Sequence, residues 1–249
     1  MPGRKSLRRR GIVLDRTKLK EQDLILTMLS LGGEQLRVVA KGARKPGSRL
    51  AARTELFCDV DFVESVGRGM GIVSEAQVID AHAGVRNELD KLSCASAIAE
   101  VARFTCYQDV EDPFLHPLLT RALVACEQAS DRAHLDVVFS AYAFKVLSHA
   151  GWRPVLDNCV ACGEPTTSRF SIHAGGVLCE SCASETEAAM RVDPHMVGWL
   201  AAMVGSTFDV LLETPVDNDT ASALLWFAHG WASTHLDVRL RAVEFFAGL

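Results

Sequence analysis

Aromatic side chains are few: 2 tyrosines and 4 tryptophans in 249 residues, with Phe57 and Phe62 the only aromatics before residue 104. Gripping nucleobases by stacking needs aromatic platforms, and core packing accounts for these two. Long apolar runs are missing as well. No stretch of about 18 apolar residues occurs, so no membrane span is expected. Residues 2–10, Pro-Gly-Arg-Lys-Ser-Leu-Arg-Arg-Arg, lead into no apolar segment of signal-peptide length. The expected setting is a reducing cytoplasm, where thiols stay unpaired. Catalytic signatures are lacking too. Gly42 and Gly47 stand at phosphate-loop spacing, but Ser48-Arg49 follow where Lys-Ser or Lys-Thr is required, which excludes an ATP loop. There is no His-x-Glu, Gly-x-Ser-x-Gly or His-Glu-x-x-His, and the 8 histidines are scattered. The expectation is a protein without catalytic turnover.

What is present is ordinary in bulk and uneven in charge. An apolar content of 49% and a charged content of 23% fit a globular chain, and 249 residues suggest about two domains. The net charge of −5 hides an asymmetry. Residues 1–53 carry 14 Lys and Arg against 4 Asp and Glu, whereas residues 54–249 carry 12 against 27. A basic region beside an acidic body points to phosphates at one end. Two clusters supply the charge: Arg4, Lys5, Arg8, Arg9, Arg10, Arg16, Lys18 and Lys20, then Lys41, Arg44, Lys45, Arg49 and Arg53. The second opens in Lys41-Gly-Ala-Arg-Lys-Pro-Gly-Ser-Arg49, whose small residues read as a flexible loop. Lys and Arg there neutralise phosphates without reading bases.

The pattern along the chain predicts an α+β protein. Ile12–Leu14 end one strand; Leu24–Leu31, Leu36–Ala40, Leu56–Val66 and Ile72–Ile79 give four more, separated by glycine turns. In the fourth, Leu56, Cys58, Val60 and Phe62 share one face, with Asp59, Asp61 and Val63 on the other. Five short strands in about 80 residues suit a small OB-type β-barrel, residues 1–82. Residues 83–249 read as an α-helical domain. Helices are expected over 91–107, from Asp112-Pro113 to about 129, along the Leu135–Val146 stripe, over 196–212 after Asp193-Pro194, and from about 220 to 246.

Inserted among these helices are Cys159-Val-Ala-Cys162 and Cys179-Glu-Ser-Cys182. Two C-x-x-C pairs at this separation are the spacing of a tetrathiolate zinc ribbon, here residues 157–185. Four protein ligands close the coordination shell, so one structural zinc is expected. Cys58, Cys94, Cys106 and Cys126 lie in apolar patterns and read as small buried hydrophobes.

The basic barrel with Lys41-Gly-Ala-Arg-Lys-Pro-Gly-Ser-Arg-Leu50, the Gly151-Trp-Arg-Pro-Val-Leu-Asp-Asn-Cys-Val-Ala-Cys-Gly163 segment, and the closing Thr234-His-Leu-Asp-Val-Arg-Leu-Arg-Ala-Val-Glu-Phe-Phe246 together resemble the bacterial RecO family of DNA repair proteins. The resemblance covers the whole chain. It implies an OB fold, a helical domain and a zinc ribbon. It further implies a nucleoid-associated recombination mediator that binds single- and double-stranded DNA and anneals complementary strands. The implied partners are RecR and the single-stranded-DNA-binding protein, whose acidic tail would meet the helical domain, with RecA loaded indirectly. A second reading of the same residues is a zinc-ribbon scaffold subunit of a transcription or translation complex that touches RNA or protein.

Overall fold

The computed structural model describes residues 5–67 and 69–249. They form two compact units: residues up to Glu127 apart from Ser96–Ile98, and Gln128–Leu249 with those three residues.

The first unit is built on β1 (Lys5–Leu19), β2 (Asp23–Ser30), β3 (Gln35–Ala40), α1 (Arg49–Arg53), β4 (Asp59–Val66) and β5 (Gly71–Asp80). The strands close in the order β1-β2-β3-β5-β4, and β4 pairs back onto β1. All pairings are antiparallel except β3 with β5, which meet only through residues 38–40 and 71–73. This is the expected OB-type barrel. Alternating inward residues fill it, among them Val13, Leu26, Met28, Val38, Val60 and Phe62. The first strand continues five residues beyond Leu14. A register shift between Val13 and Asp15 marks the point where it leaves β4 and runs on with β2. Backbone pairing carries Asp15–Leu19, a stretch with no apolar face to announce a strand. Two helices belong to the same unit, α2 (Leu89–Thr105) apart from Ser96–Ile98 and α3 (Leu115–Gln128) up to Glu127. The β2–β3 turn is pressed against the segment between them. At Gly33, with φ +88°, a Cβ would lie 1.8 Å from the Asp112 carbonyl oxygen, so only glycine fits.

The second unit wraps around α4 (Arg132–His149), which is buried over nearly its whole circumference and therefore central. Against it pack α6 (Pro194–Gly205), α7 (Phe208–Glu213) and α8 (Asn218–Leu236), with α9 (Arg241–Ala247) on α8. The two long C-terminal helices expected from periodicity are each divided. Thr207 caps α7 by accepting from the Val210 amide, which ends α6 at Gly205. Asp237 turns left-handed at φ 51°, which ends α8. A small ribbon interrupts the helices: β6 (Arg169–Ser171), β7 (Gly176–Leu178), a short α5 (Glu180–Ala183) and β8 (Met190–Arg191), in the order β7-β6-β8. Phe170 seats it on α8, edge-on to Phe227 at 5.3 Å and beside Trp231 at 5.9 Å. Among the described residues, no helix is long and apolar enough to cross a membrane.

Candidate nucleic-acid interface and thiol centre

The basic residues of the barrel fall into two electrostatic classes. On β1, arginines on both faces of the strand meet acids: Arg10 shares the outer face with Asp59 and Asp61, whereas Arg9, paired with Phe62, and Arg16, paired with Leu26, lie on the other face. Arg9 meets Glu34 at 3.3 Å and Glu64 at 2.9 Å, and Arg16 reaches Glu55 at 4.0 Å. Arg10 forks onto Asp59, with Nε and a terminal nitrogen bonding at 3.1 and 2.8 Å. Asp59 sits on the outer face of β4, as the alternation predicts, yet it is only 2% exposed, and His116 of α3 stands above it with Nε2 3.7 Å away. Burial on its own would push the Asp59 carboxyl up, but His116 and Arg10 more than offset that and hold it at about 2. Since 3.7 Å is beyond hydrogen-bond reach, the Arg10 fork is the firmer of the two supports. Arg8 lies farther out, 3.2 Å from Asp61 and three-quarters exposed. Arg4 lies outside the described residues, and Lys5 opens β1.

The other class gathers where the β1–β2 turn meets the loop between β3 and α1. Lys18, Lys20, Lys41, Arg44, Lys45 and Arg49 are all exposed there. The loop read from its glycines and proline as flexible is tied down. Ala43 is buried in the barrel core, 2% exposed. The Arg44 amide donates to the Gln22 carbonyl at 2.9 Å, and its guanidinium donates to the carbonyls of Glu21 (2.9 Å) and Lys20 (3.3 Å). The Gly42 amide donates to Asp23 at 2.7 Å. The Arg44 guanidinium bonds use backbone acceptors and leave its charge uncancelled, and the Asp23 carboxylate is taken by an amide rather than by a cation. Six cationic side chains on one rigid rim, with Phe57 and Phe62 buried at 1% and 2%, form a surface that attracts polyanions and offers no stacking platform.

The ribbon brings its four cysteines together. The sulfurs of Cys159, Cys162, Cys179 and Cys182 all lie within 4.8 Å of one another. Each pair forms a knuckle. The Gly163 amide bonds the Cys159 carbonyl at 2.8 Å, with Gly163 at φ +79°, and the Cys182 amide points at the Cys179 sulfur at 3.5 Å. The Val160 amide donates to the Val177 carbonyl at 3.0 Å and joins the knuckles. Amide donors, that of Cys179 first, bring the Cys159 thiol down to about 6, whereas hydrogen bonds shared with the neighbouring sulfurs, Cys179 first, push Cys182 up to about 12. Four soft donors in this arrangement can hold a metal ion. The other four cysteines are buried, as apolar patterning predicts. Sequence reasoning missed His116 as Asp59's neighbour and the anchoring role of Arg44, since neither contact has a local sequence signal.

Two family models match the chain: the recombination protein O N terminal over residues 4–82 and the recombination protein O C terminal over residues 86–244. Among curated relatives, it is similar to the DNA repair protein RecO of Bifidobacterium longum, 31% identical over 236 residues that cover 94% of this chain and 95% of that protein. The DNA repair protein RecO of Bifidobacterium adolescentis is 31% identical over 240 residues, 94% and 96% of the two chains. That of Desulforamulus reducens is 27% identical over 238 residues, 94% and 91%.

Proposed function

The chain belongs to the recombination protein O family, and from that premise we propose that it serves DNA repair as a DNA-binding recombination mediator without catalytic turnover. The observation that carries this reading is the rigid cationic rim of the barrel. Lys18, Lys20, Lys41, Arg44, Lys45 and Arg49 neutralise phosphates of single- and double-stranded DNA, with affinity that falls steeply with salt. Arg9, Arg10 and Arg16 are left out of that set because carboxylates already engage them. Residues 1–82 make the DNA contact; residues 83–249, net acidic, stay off the DNA and meet protein partners, RecR and the single-stranded-DNA-binding protein, so that RecA can load. The work takes place in the cytoplasm, at the nucleoid.

The mechanism is charge screening. Two complementary strands repel each other through their phosphates. A cationic rim lowers that repulsion, and without exposed aromatics it leaves the bases free to pair. One zinc ion holds the ribbon. Four thiolates around zinc at ~2.3 Å stand ~3.8 Å apart in a tetrahedron, and the Cys162 and Cys179 sulfurs are 3.8 Å apart. The ion's role is structural, since protein ligands fill its shell.

The test is a fluorescence time course of annealing between complementary single strands at low salt, with and without the protein and without ATP. Faster annealing is expected. Equal rates, or a requirement for ATP, overturn the mediator reading and favour a scaffold role.

A further inference from the structure

Beside the rim lies a groove of about 710 Å³, set between α1 and the outer side of β4 and β5. Its charged and amide-bearing lining is Arg8, Arg49, Arg53, Asp61, Glu75 and Gln77. The groove exists because the barrel is only briefly closed at this point. β3 stops at Ala40, so β5 loses its β3 neighbour after Val73, and its residues 74–78 line the gap beside α1. Arg53 bridges that gap and donates to the Ala76 carbonyl at 2.9 Å. Arg49 belongs to both places. It ends the cationic rim and lines the groove, so a chain of phosphates leaving Arg44 and Lys45 meets Arg49, then Arg53, with Arg8 farther along the lining.

We propose that this groove receives one or two nucleotides of a single DNA strand whose backbone lies on the rim, an inference that rests on the rim being the DNA site. The volume falls in the ~300–1,000 Å³ range of small-ligand pockets. It suits an unstacked nucleotide and is too small for a paired duplex. The mixture of charges fits a nucleotide better than a bare phosphate. Arg49 and Arg53 take the backbone, while Glu75 and the Gln77 carbonyl accept from exocyclic amino groups, as carboxylates do from cytosine N4, and the Arg8–Asp61 pair at 3.2 Å walls the far side. Thymine carries no such amino group. The groove therefore favours single strands over duplex, and among pyrimidine strands it favours cytosine.

The experiment uses the full chain and three probes: a 20-nucleotide oligo-dC, the same length of oligo-dT, and a 20-base-pair duplex, all at one salt concentration. Wild type is expected to bind oligo-dC several-fold more tightly than oligo-dT. Gln77→Trp fills the groove from an exposed position without changing charge, and it is expected to weaken oligo-dC about tenfold and duplex less than twofold. Glu75→Ala removes a repelling charge yet should erase the dC-over-dT ratio. Arg8→Ala, three-quarters exposed, reports on the same groove should the tryptophan disturb folding, and is expected to weaken single strands more than duplex. Unchanged oligo-dC affinity in Gln77→Trp and Arg8→Ala, equal losses on all probes, or no dC preference in wild type overturns the groove. A triple variant, Lys41, Arg44 and Lys45→Ala, tests the rim separately. It should weaken all three probes, and if it does not, the rim reading itself falls.

Discussion

Residues 8–16 and residues 41–49 each carry four Lys and Arg, and the fold leaves them in opposite electrostatic states. In the first stretch, three arginines lie on a strand with acids in reach: Glu64 and Asp59, each two residues from the register partner on β4, stand 2.9 and 2.8 Å from Arg9 and Arg10, and Glu55, just before β4, stands 4.0 Å from Arg16. In the second, the glycines, proline and serine keep the chain out of any strand, and the acid that reaches it, Asp23 of β2, accepts from the Gly42 amide rather than from a cation. Among the described residues, no carboxylate pairs with Lys41, Arg44, Lys45 or Arg49. Equal charge in the sequence thus becomes structural glue in one place and an open rim in the other. The regularity of the local backbone decides which.

The ribbon is a third case, in which charge is gathered that the chain cannot balance. Bringing four thiols within 4.8 Å raises the last of them towards 12, and a divalent cation reverses that logic by deprotonating its ligands. The largest effect expected in the molecule follows from this. Cys162→Ser removes one ligand. It should lose bound zinc and unfold the ribbon from its seat on Phe227 and Trp231, because metal binding energy here is folding energy. Elemental analysis of reduced, freshly purified wild type should give one zinc per chain and the variant far less. Wild type without zinc refutes the metal reading outright.

The held arginines come next. Arg10→Met strands the Asp59 carboxylate in its buried site. Breaking a buried pair costs ~3–5 kcal/mol, and about 3 is expected here because the Arg10 side chain is 36% exposed and water can partly replace it. The double variant with Asp59→Asn should recover most of the loss, since no charge is left behind. Denaturant unfolding measures both, and a double variant no better than Arg10→Met would show that the pair is not the cause.

Acid probes the same pair more gently. The Asp59 carboxyl is held at about 2, below its ordinary value of 3.8. Because the folded-state value is the lower one, its stabilisation is complete above pH ~4 and fades as pH falls towards 2. About 2 kcal/mol should be lost across that window. The difference in stability between wild type and Asp59→Asn should shrink from pH 5 to pH 2.5. A constant difference means that Asp59 keeps its proton affinity unchanged on folding.

Much of the fold is legible in the residues alone, and the illegible parts share a cause. The five strands and the cysteine centre announce themselves through local signals: glycine turns, alternation and C-x-x-C spacing. β1 is read too short because Asp15-Arg16-Thr17-Lys18 has no apolar face, and its pairing with β2 is what holds it extended. The break at Thr207 rests on one side-chain cap, and that at Asp237 on one left-handed residue. Neither interrupts the apolar periodicity enough to show. Asp59 falls on the face that the alternation assigns, but that face is covered by His116 of a helix 57 residues on. The fate of each arginine likewise depends on partners 25 to 55 positions away.

The smallest effect on stability should accompany the clearest effect on binding, and that pairing tests the contrast between held and open charge most directly. Lys41→Ala, Arg44→Ala and Lys45→Ala together remove three exposed cations that no carboxylate engages. Surface charges of this kind contribute within ~0.5 kcal/mol each to folding. Lys41 and Lys45 should be silent in thermal unfolding, and Arg44 costs somewhat more because it donates to the Glu21 and Lys20 carbonyls. On single strands, each phosphate left without its cation should flatten the slope of log affinity against log salt by ~0.7. Three such phosphates would lower it by ~2 and weaken all sequences alike. Arg9→Gln, taken from the engaged class, should do the reverse: it should destabilise the barrel measurably and leave the salt slope where it was. Titrations across salt, paired with melting curves on the same variants, give both readouts. If Arg9→Gln flattens the slope as the rim triple does, the ion pairs of β1 open on DNA, and held and open charge are not separate classes in this barrel.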